Sequence, residues 1–153
     1  MMAGKELQGI HMADNWTSYM AAVEGALRGA GLWDEETFKL MGITGMGFQF
    51  IVHKTCCPSS VTVYDWLDEH MTMMDRIGVH SQQAMAWLGM NTFGLAQRDA
   101  LAAIKGSIDR GMAVIVWAPT PILEFGLITG YDDGDAAFTV EQPHDWRNTS
   151  SVG

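Results

Sequence analysis

Cys56 and Cys57 stand together immediately before Pro58, where the sequence predicts a helix to begin, and His53 and His80 flank them along the chain. A thiol at a helix start gives up its proton more readily, so Cys56 with His53 or His80 is a candidate nucleophile and base. Inert packing is the commoner use of a small buried cysteine. Neighbouring cysteines bond to each other only by straining the peptide between them, and without a second pair they match no zinc pattern. We therefore expect no disulfide framework, no metal and no cofactor, and a reducing, cytoplasmic compartment. His70 falls on the apolar side of its helix, where a histidine is more often a hydrogen-bonded core residue than a catalyst. Gly42, Gly45 and Gly47 make no phosphate loop, because no Lys and Ser or Thr pair follows them.

The elements that must position these residues are legible from periodicity. Trp16, Tyr19, Met20, Val23, Leu27 and Ala30 fall at helical spacing, with Asn15 as the expected N-cap and Gly31 as the stop. A second helix is expected over Asp34 to Met41, opening on the acidic turn Asp34, Glu35 and Glu36. Phe48 to Val52 reads as a short strand. A third helix runs from about Thr62, placing Val63, Trp66, Leu67, His70, Met73, Met74 and Ile77 on one side and ending at Gly78. Val79 to Gln97 reads as an irregular connection. A fourth helix over Arg98 to Arg110 turns Leu101, Ile104 and Ile108 inward and stops at Gly111.

Three β-rich runs follow: Met112 to Trp117, Phe125 to Tyr131 and Ala136 to Val140, the last two joined by Asp132-Asp133-Gly134-Asp135 as a hairpin. Helices first and strands last give a segregated α+β domain, helices packed on a C-terminal antiparallel sheet. Length agrees, since 153 residues suffice for one buried core. Apolar residues make up 48% and charged ones 18%, which is globular composition. A net charge of -9 repels phosphate backbones, so nucleic acid is excluded as a partner. No apolar run reaches the length that spans a bilayer.

The stretch Ser107-Ile108-Asp109-Arg110-Gly111-Met112-Ala113-Val114-Ile115-Val116, followed by Glu124-Phe125-Gly126-Leu127-Ile128-Thr129-Gly130-Tyr131-Asp132-Asp133, resembles the peptidase C39-like branch of papain-fold proteins. It is also similar to the N-terminal domain of the butirosin biosynthesis protein H family. There, a helix ends in Gly, a strand follows, and the next strand begins with the catalytic His and runs into a Gly-Tyr-Asp turn. The helix from Ser18 to Gly31 resembles the family's nucleophile helix, and Gly42 to Phe50 is similar to the glycine-rich stretch that follows it in the butirosin family. The resemblance covers most of the chain, and its specific part is the Gly-Tyr-Asp-Asp hairpin with its preceding strands.

Carried over residue by residue, the resemblance puts Ser18 at the Cys position, Glu124 at the His position, and Gln142, before Pro143, at the Asp or Asn position. A serine needs a strong general base, and an ordinary carboxylate is a poor one. Gln142 has no imidazolium to stabilise. The resemblance then implies a single papain-like domain over residues 1–153, catalytically silent, binding a small molecule or peptide in the former cleft, with Asn15, Trp16, Tyr19, Phe125 and His144 lining it. His144 would reach the Glu124 region as an imidazole from another direction. Plainer roles stand beside these: Ser18 as a helix cap or first-turn residue, and Glu124 as a solvated charge at a strand edge.

The alternatives are an acyltransferase or amide hydrolase using Ser18 or Cys56, and a self-associating domain. An acidic, Met- and Trp-rich chain can bury apolar surface in a homodimer. Relatives continue past the point where this chain stops, so it is expected to be the N-terminal part of a longer protein or to close its sheet by association.

Overall fold

The computed structural model describes residues 4–52, 54–55, 68–84, 89–121 and 123–143. Among these residues it is mixed α+β, with four α-helices and an open antiparallel sheet of four strands. The chain divides into two compact units, one of residues 1–34 with 98–153, the other of residues 35–97.

In the first unit the sheet is built around one strand. β1 (Gly4–Glu6), β2 (Val114–Trp117), β3 (Phe125–Asp132) and β4 (Ala137–Glu141) are all antiparallel neighbours of β3 or β3 itself. β4 lies along one edge of β3, while β2 pairs with its first half and β1 with its last residues. The hairpin predicted from the Asp-rich turn is present. Asp132 Oδ1 accepts from the N–H groups of Gly134 at 2.6 Å and Asp135 at 3.2 Å, a side-chain turn that aspartate favours. β3 is buried from Phe125 to Gly130, and Thr129 bulges between Ile128 and Gly130 opposite β4. β1 was not expected, because Gly4-Lys5-Glu6 carries no β-forming residue.

Helix α1 (Ser18–Gly29) packs on β3. Thr17, in extended conformation, caps it by accepting the Met20 N–H at 3.2 Å. Asn15 is thus not the N-cap. Trp16 lies before the cap, outside the helical repeat, and is 96% exposed, so it does not belong to the buried stripe. Within the helix every residue from Tyr19 to Leu27 is buried. The reason is a second cover: the segment after β1 crosses the helix, and a Cβ at Gly25 would stand 2.3 Å from the His11 carbonyl oxygen. At Gly29 a Cβ would meet the Ile10 side chain at 2.6 Å. Ala13 donates its N–H to Ala21 O at 3.1 Å, so the crossing strap runs backbone against backbone on small residues. Gly31, at φ +70°, ends the helix as expected, with Leu32 N–H returning to Leu27 O at 2.9 Å.

Helix α4 (Phe93–Asp109) begins before Arg98, inside the segment read as irregular. Gly94 falls in the first turn, where fewer backbone bonds depend on it. Ile108 is fully buried and Ile104 half-buried, whereas Leu101 is 37% exposed and does not point inward. Gly111, at φ +87°, provides the left-handed stop.

The second unit holds α2 (Thr37–Thr44), a single 3₁₀ turn (Met46–Phe48) and α3 (Asp68–Arg76). α2 starts at Thr37 rather than Asp34; Glu36 is its N-cap, and Glu35 stands outside the helix in an ion pair with Lys39. Gly45, at φ +80°, ends α2, and Arg76 donates to Thr44 O at 3.1 Å, fastening the end of α3 to the end of α2. Leu40, Met46, His70, Met73 and Met74 are buried. Phe48 to Val52 is not a strand: the 3₁₀ turn takes its first residue and no regular element follows to Val52. The predicted start of the third helix, with Val63, Trp66 and Leu67, lies outside the described residues.

Candidate functional site

Ser18 is the first residue of α1, held at the helix start by the Thr17 cap. Its hydroxyl oxygen accepts the backbone N–H of Phe125, the first residue of β3, at 3.2 Å. The half-buried Ser18 and the half-buried Glu124 are therefore brought to the same corner of the first unit. Below them, the Tyr19 and Phe125 rings meet edge to face at 5.2 Å, and Trp117 leans on Phe125 at 4.7 Å. Large apolar side chains around the corner remain in solvent. Besides Trp16, Leu123 is 65% and Trp117 38% exposed.

The polar groups at this corner are not wired as a triad. Among the described residues, Ser18 has no imidazole or carboxylate at hydrogen-bond distance; its hydroxyl is engaged by the Phe125 N–H. The Glu124 carboxylate bonds no described residue, although the Glu124 carbonyl accepts the Ala118 N–H at 2.8 Å. Gln142, at the end of β4, is turned to the Thr120 hydroxyl. A hydroxyl without a bonded base stays a hydroxyl at neutral pH, so the arrangement offers hydrogen bonds rather than a nucleophile. Asn15 sends its amide N–H to Glu24 Oε2 at 3.3 Å, while its Oδ1 is buried with no described partner. Tyr19 is buried and Phe125 nearly so, which makes them the floor of the corner rather than its lining. His53, Cys56 and His144 lie outside the described residues.

Three polar clusters in this structure escaped the sequence reading. Glu24 is buried to 1% in α1 and accepts two bonds from the Arg28 guanidinium, at 2.9 and 2.7 Å. Its spacing to Arg28 is the ordinary helical pair, yet nothing in the spacing announces burial. Glu141 receives His11 Nδ1 at 2.6 Å and the Met12 N–H at 3.0 Å, pinning the strap to the end of β4. These partners are far apart in the chain and carry no local signal. At the opposite end of β3, the Tyr131 hydroxyl donates to Asp109 Oδ1 at 3.0 Å, with the Lys105 ammonium 5.3 Å above its ring and paired with Asp133. The hydrogen bond to the Asp109 carboxylate, ahead of burial and neighbouring charge, holds that hydroxyl above the usual tyrosine value.

At that far end, β1, β3 and β4 line a shallow groove of about 430 Å³ with Lys5, Glu6, Tyr131, Asp132, Phe138 and Thr139. It lies away from Ser18. Among the described residues no cluster of three or more His, Cys, Asp or Glu could hold a metal ion, and no helix is long and apolar enough to cross a membrane. His70 is buried in the second unit, and burial lowers its pKa below the usual 6.5. No known protein family, no curated protein and no solved structure matches this chain.

Proposed function

We propose that this chain is a papain-like α+β domain without hydrolase chemistry, which binds a small molecule or a peptide where the start of α1 meets the start of β3. The observation that carries this reading is the hydrogen bond between Ser18 Oγ and the Phe125 N–H at 3.2 Å. It sets the first residue of a helix against the first residue of the central strand, the juxtaposition that the resemblance asks of a nucleophile and its base. In this chain the two positions carry a hydroxyl and a carboxylate that are not bonded to each other. Exposed Trp16, Trp117 and Leu123 beside them supply apolar contact area, and Ser18 with Glu124 supplies polar groups to orient a ligand.

Amide chemical shifts of the labelled chain, followed while short peptides and small polar molecules are added, test the reading. Shifts clustering at Trp16, Ser18, Glu124 and Phe125, with no turnover of ester or amide substrates, are the expected result. Turnover lost in Ser18→Ala would overturn the silent reading in favour of an acyl-transfer enzyme. Ligands that perturb only other parts of the chain would overturn the site.

A further inference from the structure

We propose that the core of the second unit binds a soft monovalent cation, Cu(I), through the His70 imidazole and the Met46 and Met73 thioethers. Among the described residues of this unit the buried ones are Leu40, Thr44, Met46, His70, Met73 and Met74, so a histidine and three methionines make up most of that core. On α3 the spacing of His70, Met73 and Met74 puts them on one face, His70 one turn ahead of the two methionines. Two tethers bring Met46 to that face. Arg76 donates to Thr44 O at 3.1 Å and Gln49 to the Glu69 carboxylate at 3.3 Å, so the chain from Thr44 to Gln49 runs antiparallel along α3. Met73 follows Glu69 by four residues and precedes Arg76 by three, which places it on the side of the helix that both tethers mark. Met46, buried between the tethers, is therefore set against Met73.

The donor set selects the ion. Thioether sulfur is a soft ligand, and with an imidazole beside it the set suits Cu(I) among the biological metals. Hard cations such as Mg²⁺ and Ca²⁺ need oxygen ligands, and the carboxylates of α3, on Asp68, Glu69 and Asp75, belong to exposed residues. Packing alone does not call for an imidazole in this core, because methionine and leucine fill such space without a polar atom to satisfy. Burial lowers the His70 pKa and so keeps the ring in the neutral form that ligates metals. A ligating histidine ordinarily gives its other ring nitrogen to a hydrogen bond, so a protein partner on one nitrogen is compatible with a metal on the other. These donors are all uncharged and have no proton to give up, so binding here is independent of pH near neutrality, whereas thiolates would release protons as they took the metal.

Methyl-¹³C methionine spectra of the full chain, recorded without oxygen as Cu(I) is added to an excess over the thiols, test the proposal. The Met46 and Met73 methyl signals are expected to move together and saturate, while that of Met20, buried in the first unit, stays in place. Met46→Leu and Met73→Leu remove one thioether each at nearly constant volume, so both should keep the wild-type far-UV circular dichroism. In competition with bicinchoninate each should bind Cu(I) at least about 10-fold more weakly, the smaller of the losses that follow even from disturbing a ligand's outer partner. That readout separates ligation from packing. Met46 and Met73 signals that stay still in excess Cu(I), or shifts confined to the exposed Met71, overturn the proposal from the wild-type spectra alone. Copper bound only by thiols, so that Cys56→Ser with Cys57→Ser abolishes all binding, overturns it equally, as does undiminished affinity in both leucine variants.

Discussion

The Ser18 hydroxyl oxygen and the Phe125 N–H lie 3.2 Å apart, the first helical residue of α1 fastened to the first residue of β3 across most of the chain. The bond satisfies the backbone donor at the point where β3 begins, and it fixes how the helix approaches the sheet. Whatever else Ser18 does, it performs this structural task.

Ser18→Ala removes the hydroxyl that accepts the part-buried Phe125 N–H. The expected loss is about 1 kcal/mol, reduced slightly by the better helix propensity of alanine. Urea denaturation of the wild type and the variant checks it; equal midpoints with equal slopes would show that the bond contributes nothing.

A larger effect is expected inside α1. Glu24 is 1% exposed and Arg28 38%, so cutting the guanidinium away in Arg28→Ala removes the countercharge of a carboxylate that cannot return to water. Breaking a fully buried pair costs about 3–5 kcal/mol, and the partial exposure of Arg28 brings the expectation down to about 2 kcal/mol. Adding Glu24→Met to Arg28→Ala removes the buried charge and should recover part of that loss. A double variant weaker than Arg28→Ala alone would mean that the carboxylate is needed for its bond to Asn15 more than for the guanidinium.

His70 gives the chain a pH response of definite sign. Burial lowers its pKa in the folded chain below the 6.5 of the unfolded one, so the unfolded chain takes up the proton first as pH falls. The stability associated with neutral His70 is fully present above pH 6.5 and is lost as pH drops from there through the lower folded value. The slope is bounded by about 1.4 kcal/mol per pH unit, the value for one whole proton. Denaturation midpoints measured from pH 7.5 downward should fall more steeply for the wild type than for His70→Gln. Parallel curves would remove His70 from the account.

How much of this was legible in the sequence depends on how local each cause is. The hairpin could be read because Asp132 and Gly134 build their own turn, and the ends of α1 and α4 because Gly31 and Gly111 take up positive φ. β1 could not be read. Gly4, Lys5 and Glu6 become a strand only because Gly130, Tyr131 and Asp132 wait beside them, with Gly130 free of a side chain that would press on the Lys5 carbonyl. Trp16 misled because the apolar periodicity runs back past Thr17, the cap at which the helix begins. Phe48 to Val52 misled for a different reason: its residues suit a strand, and the left-handed Gly45 turns the backbone into a 3₁₀ turn first. The contact of Ser18 with the start of β3 and the pairs Glu24 with Arg28 and His11 with Glu141 needed three dimensions.

The pairing of Gly4 with Asp132 sets an order of events during synthesis. Residues 35–97 follow one another along the chain, so that unit can collapse while still near the ribosome. The other unit is interrupted, and its opening residues have no sheet to join until β3 has emerged. Until then the nascent chain must carry the apolar α1 segment without its cover, which makes that interval the one most open to chaperones and to aggregation.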